Sequence, residues 1–388
     1  MIAFFILLFV VVIVVAIDIV PEFDIWQSRI RIGRWNDNEN WISSVKAKSL
    51  AWLKKTPTIK LTDNKRLVIV DMIRGNYKRS AIQHWQQAAL VLGLIEAYEK
   101  TSDEKIRTQI DEFIETKIDN SGNWKSVPKE IDGVILAYAI SKVPWIDAAQ
   151  FNPAFDAIWE MLRQMIGADG TVQYRKHMKN YRYVDTIGFI CPFLIRYGTM
   201  FNNPDAISLS LKQISEYNNF GMFPGAMLPC HTYNVETKLP AGLFGWGRGL
   251  GWYAIGLIDA WNELPENHPE KPSLTENVIE FAQTIIRFQN ANGGWNWLVT
   301  NANSQTDSSA AATLAWYLSQ TSSISELQPQ AKTSAEKALN YLKSVTKRDG
   351  AIDLSQGDTK DIGVYSQEFG ILPFAQGFAL RATYHIQP

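Results

Sequence analysis

LFGWGRGLGWYAIGLIDAW, residues 243–261, sets glycines and two tryptophans around one arginine and then runs into a long apolar segment. The glycines allow tight backbone turns and a close approach to a ligand. The run from Trp252 to Trp261 suits a mostly buried helix. Arg248, between Trp246 and Trp252, offers a fork of donors between two aromatic platforms, suited to a planar anion or a sugar acid. The competing reading makes both tryptophans core residues and leaves Arg248 to cap a neighbouring carbonyl.

Working outward, apolar residues return at three and four in stretches near 39–55, 80–100, 103–117, 133–141, 153–166, 186–197, 205–217, 251–262, 274–289, 308–319, 331–345 and 369–383. Glycine-bearing turns separate them in pairs: DNSGNW (119–124), GADGTV (167–172), NNFGMF (218–223), NANGGW (290–295) and KRDGAI (347–352). After each turn a second, more apolar helix is expected to begin at a marked polar residue: Asp132, Asp185, Arg248, Asp307 or Tyr365. Tyr77, before the stretch at 80–100, supplies a sixth. Six hairpins, each with an outer amphipathic and an inner apolar helix, would close into an all-α (α/α)6 barrel. The inner helices would all start at one rim, with their free N–H groups and polar residues converging there. KRLVIVDM at 65–72 reads as a short strand or an extended crossing piece.

Residues 1–20, MIAFFILLFVVVIVVAIDIV, are apolar apart from Asp18, which is enough for one membrane-spanning helix. A cleaved signal peptide is the alternative, although no Lys or Arg precedes the apolar run. Arg29, Arg31 and Arg34 follow it and argue for a cytoplasmic barrel, but Asp18, Glu22 and Asp24 share the flank and leave the sidedness open. The expected organisation is therefore an anchor over 1–21 and one domain over 22–388. A formal net charge of -1 gives no support for nucleic-acid binding. The 14 tryptophans, 14 tyrosines and 18 phenylalanines suit a sugar cleft, where ring faces pack on the apolar faces of sugars. Cys191 and Cys230 lie far apart in apolar contexts and read as small buried groups, and neither they nor the histidines make a metal or redox spacing.

Asp132 in EIDGVILAYAI and Asp185 in YVDTIGFICPFL occupy equivalent helix starts one hairpin apart. Either alone reads as an N-cap. Two carboxylates over one cavity can instead divide the roles of proton donor and acceptor, because like charges push their proton affinities apart. Asp307 in TDSSAAA takes the same rim position, His231 in PCHTYN could donate to a substrate or a carboxylate, and Trp124 and Tyr174 follow their turns and could line the cleft. GxSxG, HExxH, CxxC and P-loop patterns are absent from the sequence.

From about Trp35 to the C-terminus the chain resembles the unsaturated glucuronyl and rhamnogalacturonyl hydrolases of glycoside hydrolase families 88 and 105. The resemblance rests on IDG at Asp132, VDTIGFICPFL at Asp185, the H-x-Y loop at His231, GWGRGLGW at Arg248, the TDSSA helix start and YSQEFGILPF at 365–374, in that order. It implies an (α/α)6 barrel acting, with no metal or organic cofactor, on oligosaccharides that end in a 4,5-unsaturated uronic acid. By the resemblance, Asp185 protonates C4 and then takes a proton from the water that adds at C5, and Asp132 positions substrate or water. His231 and Arg248 would be polar site residues, and Trp246 and Trp252 the walls that hold the ring. Two features depart from the family: the hydrophobic N-terminal segment, and the spacing of Arg248-Gly249-Leu250-Gly251-Trp252, which alters the pocket near the arginine. A conventional inverting glycosidase and a non-catalytic glycan-binding protein remain as rival readings.

Overall fold

The computed structural model describes residues 1–57, 59, 62–74 and 84–386. Its helices are α1 (Ile2–Arg29), α2 (Asn38–Lys54), α3 (Val68–Ile73), α4 (His84–Thr101), α5 (Glu104–Glu115), α6 (Asp132–Ser141), α7 (Asn152–Arg163), α8 (Val184–Met200), α9 (Pro204–Phe220), α10 (Gly247–Glu263), α11 (Lys271–Arg287), α12 (Ser308–Thr321), α13 (Gln328–Ser344) and α14 (Pro373–Ile386). The even-numbered helices from α4 to α14 pack in sequence, and α14 returns against α4, which closes an inner ring. The outer helices are α2, α5, α7, α9, α11 and α13. This is the six-hairpin toroid expected from the repeat. Tyr77 lies outside the described residues.

Burial separates the two layers. In α5 the buried residues are Ile106, Ile110, Phe113 and Ile114, one stripe of an otherwise polar helix. In α6 every residue from Gly133 to Ser141 is buried. The outer helices α7, α9, α11 and α13 each carry a proline in the first turn, where its missing N–H has no intrahelical role. Four outer-to-inner links use one turn: Asp119, Gly167, Asn290 and Lys347 each donate a backbone N–H four residues onward, at 2.8–2.9 Å. The turn needs a left-handed residue, supplied by Gly122, Gly170, Gly293 and Gly350 with φ of 77°, 75°, 90° and 83°. The fifth expected turn differs, because Gly221 ends α9 with φ of −104°.

Two expectations need correction. KRLVIVDM contains a short helix, α3, rather than a strand. Asp18 caps it, accepting the N–H groups of Leu67 at 2.6 Å and Val68 at 3.0 Å, and this tertiary contact overrides the β-branched preference of the segment. Tyr365 does not start an inner helix, since α14 begins at Pro373 and Tyr365 lies in the segment that joins Ser355–Gln356 to Phe369–Gly370, the two strands of a hairpin.

Two small sheets sit at the rim. One orders β1 (Tyr181–Tyr183), β2 (Thr232–Asn234) and β3 (Pro240–Ala241), all antiparallel, and the other pairs β4 (Ser355–Gln356) with β5 (Phe369–Gly370). At the opposite end, near the inner-helix C-termini, charges are buried and paired. Arg381 donates to Asp259 at 2.6 Å and covers the Trp316 ring at 3.7 Å, while Trp316 donates to the other Asp259 oxygen at 2.9 Å. Glu96 lies 3.6 Å from Arg381. Glu263 receives Tyr138, Lys142 and Arg196 at 3.2, 2.7 and 2.9 Å. All six inner helices or their C-caps contribute to this floor.

Candidate active site

The rim encloses a cavity of ≈ 240 Å³ lined by Asp132, Asp185, His231, Arg248, Trp246, Trp252 and Tyr174 among others. Seven of the nine residues singled out from the sequence therefore meet at one place. Asp185 stands in the first turn of α8, directly after β1. The β1–β2 register pairs Tyr183 with Thr232, and Val184 donates its N–H to the His231 carbonyl at 3.0 Å. That pairing carries His231 Nε2 to 3.8 Å from Asp185 Oδ2. Asp185 Oδ2 and His231 Nδ1 are buried and have no hydrogen-bond partner among the described residues.

The electrostatics separate the two groups. Burial pushes the Asp185 carboxyl up to about 7, against the pull of the Arg248 guanidinium, with the negative charge of Asp358 adding to the rise. Burial and the Arg248 charge push His231 down to about 4. At neutral pH His231 is an uncharged imidazole, so its contact with Asp185 is not an ion pair. Burial also raises Asp132, which the charges of His84 and Arg175 oppose and to which the His84 backbone N–H donates. A protonated carboxyl with a free oxygen, beside a neutral donor-acceptor ring, can deliver a proton into the cavity and recover it from water.

Arg248 answers both sequence readings. It lines the cavity, and it also donates to the Gln356 carbonyl at 2.5 Å and the Gly357 carbonyl at 2.6 Å. It thereby fixes the β4–β5 hairpin as one wall, with Trp246 Nε1 on the Gln356 side-chain oxygen at 2.8 Å. Trp246 lies 4.8 Å from the His231 ring, and Trp252 packs on Phe189 at 4.4 Å and edge-on to Trp85 at 5.5 Å. The glycines beside Arg248 belong to the first turns of α10 and not to a preceding loop. A Cβ on Gly249 would strike the Trp246 ring and one on Gly251 would strike Thr313, so these positions admit close packing.

Asp307 and Trp124 lie away from the cleft. Asp307 is fully buried as the N-cap of α12, accepting from Ser309 and from the Gln356 N–H at 3.0 Å. It holds β4 in place at one remove from the cavity. Trp124 is buried and donates to the Ala154 carbonyl at 2.8 Å, inside the outer layer. Sequence reasoning missed Trp85, Arg175, Tyr183, Phe189 and the wall residues Asp358, Lys360 and Asp361. Phe189 was within reach, because i and i+4 share a helix face and Asp185 is four residues earlier. The wall residues carried no such signal, since their place depends on Arg248 more than 100 positions away in the chain.

Residues 60–386 match the model of Glycosyl Hydrolase Family 88. The chain belongs to that family. Among the relatives of this family 88 chain, the unsaturated rhamnogalacturonyl hydrolase YesR of Bacillus subtilis is 21% identical over 260 residues, covering 64% of this chain and 73% of that protein. A crystal structure from Klebsiella pneumoniae, described as a possible member of the GH105 family, superposes with a TM-score of 0.74 at 16% identity, covering 91% of this chain and 95% of the other. The unsaturated glucuronyl hydrolase of Bacillus sp. GL1 gives 0.65 at 16% identity over 90% and 96%. At that identity the structural matches speak for the toroid of family 88.

Proposed function

We propose that this family 88 chain releases a terminal 4,5-unsaturated uronic acid from oligosaccharides by hydrating the C4–C5 double bond. The observation that carries the reading is Asp185, a buried carboxyl pushed up to about 7, with an unpartnered oxygen, in a cleft walled by Trp246 and Trp252. Its acid form gives a proton to C4, leaving an oxocarbenium ion shared between C5 and the ring oxygen. The Asp185 carboxylate then takes a proton from water, whose oxygen bonds to C5. The resulting hemiketal opens by breaking the bond between C5 and the ring oxygen. The hemiacetal left at C1 then releases the neighbouring sugar as an alcohol. His231, neutral at working pH, can hold the water or a sugar hydroxyl, and Asp132 steadies the ring from the next inner helix. The names of the relatives above, an unsaturated rhamnogalacturonyl and an unsaturated glucuronyl hydrolase, support the same substrate class.

Residues 1–20 are proposed to tether the barrel to a membrane. Helix α1 buries none of its apolar part and has a mean hydropathy of 3.3 over its best 18 residues. The test of the chemistry follows the ultraviolet absorbance of the conjugated double bond with lyase-generated oligosaccharides from several uronic-acid polymers. Loss of absorbance with the native chain, and none with Asp185→Asn, is the expected result. Release of saturated sugars with the chromophore intact would favour an inverting glycosidase. Binding without turnover would favour a glycan-binding protein.

A further inference from the structure

Helix α1 does not end where its apolar run ends. Past Ile17 it carries two stripes. Asp18, Glu22, Ile25 and Arg29 face the barrel: Asp18 caps α3, Glu22 lies 3.4 Å from Lys65, and Arg29 donates to Asp353 at 2.7 and 3.0 Å and to the Phe369 carbonyl at 2.7 Å. Ile19, Phe23, Trp26 and Ile30 repeat the same spacing about 100° round the helix, and each is more than half exposed. Beside them α3 buries Val68 and Asp71 and turns Leu67, Val70 and Ile73 outward, with Leu67 57% and Ile73 80% exposed. Leu67 also holds a left-handed backbone with φ of 52°, a conformation unfavourable for a leucine and maintained here by the bond from its N–H to Asp18. Arg66 and Arg74, both exposed, bracket the short helix.

We propose that α3 and the last turns of α1 form a second contact with the bilayer, a docking face for a lipid surface bearing anionic headgroups. Leu67, Val70, Ile73, Phe23 and Trp26 enter the interface, and Arg66 and Arg74 meet headgroup phosphates. The proposal rests on the tether reading of residues 1–20. Three observations select lipid over a second copy of the chain. The apolar residues 2–17 of α1 rise about 24 Å at ~1.5 Å each, most of the ~30 Å hydrocarbon core of a bilayer. The turns of α1 that follow therefore emerge at headgroup depth, where Phe23 and Trp26, 5.5 Å apart, match the aromatic belt of membrane proteins. Asp18 fixes the start of α3 level with the end of the apolar run, so its outward leucine, valine and isoleucine lie at the same boundary, and the flanking arginines complement anionic lipid. The face continues the surface that the tether reading gives to lipid. It also touches the cleft: Asp63, just before α3, accepts from Ser366 at 2.7 Å and pairs with Lys360 of the cavity wall at 3.0 Å.

The test uses the full chain in phosphatidylcholine vesicles with and without phosphatidylglycerol. Cys191 and Cys230 are buried, so an environment-sensitive dye can be placed at Val70→Cys, with Glu326→Cys on the loop after α12 as the control. Lipids carrying a shallow spin-label quencher should quench the dye at position 70 several-fold more than at 326. The effect should weaken without phosphatidylglycerol or with Arg66→Glu and Arg74→Glu together. A chain that floats with the vesicles while both dyes are quenched equally would overturn the docking face and leave the tether standing. A chain that does not float would overturn both. Protection of position 70 that grows with protein concentration in detergent would assign the face to a second copy and overturn the proposal.

Discussion

Replacing Asp185 by Asn should stabilise the barrel while it abolishes turnover, and the gain should depend on pH in a defined way. Burial raises the carboxyl from 3.8 to about 7 in the folded chain. Below pH 4 it is protonated in both folded and unfolded chains, and Asn gains nothing. Between pH 4 and 7 the unfolded chain sheds the proton and the folded chain keeps it, so native stability falls as pH rises. Above about 7 the difference is complete. A shift of roughly three units at about 1.4 kcal/mol each makes the ionised carboxylate worth on the order of 4 kcal/mol of destabilisation. For a chain of this size that corresponds to about 5 °C in Tm. The assay is thermal unfolding of both chains in matched buffers from pH 4 to 8, beside the absorbance assay. The expected difference is near zero at pH 4 and several degrees in favour of the Asp185→Asn chain at pH 8. A pH-independent difference, or a variant less stable at pH 8, would refute the claim that Asp185 is held in its acid form by desolvation.

Other outcomes follow from the same geometry. Asp358→Asn removes a negative charge that raises Asp185, so the alkaline limb of kcat/KM should move to lower pH by less than about one unit, read from the pH–rate profile. Asp259→Ala leaves Arg381 buried without its 2.6 Å partner and should cost about 3–5 kcal/mol in denaturant unfolding. Gly256→Val drives a side chain into the backbone of Ile187, where α8 and α10 approach closely, and should cost at least about 1–3 kcal/mol by the same measurement.

The toroid was legible because its signals are local and repeated. The Gly122, Gly170, Gly293 and Gly350 turns need one backbone conformation, and the apolar inner runs follow each at similar distance. Asp132, Asp185, His231 and Arg248 were legible because they sit at those repeated helix starts or in the loop beside them. What failed was long-range. Asp307 looks like its rim neighbours in sequence, yet the Gln356 N–H and its own Ser309 claim it. Trp124 follows its turn as Tyr174 does, but one ring turns into the outer layer and the other into the cleft. The segment at 65–72 has the composition of a strand and becomes a helix because Asp18, some 50 residues earlier, caps it. None of these partners is visible to a reading that moves along the chain.

The paired charges at the inner-helix C-termini turn the toroid from a ring into a cup. Arg381, Asp259 and Glu96, with Glu263 and its three donors beside them, occupy the place where a bore would otherwise emerge. A polymer cannot be threaded through a cup, so a substrate enters by its end, at the rim. Both fragments must also back out by the door through which the substrate came.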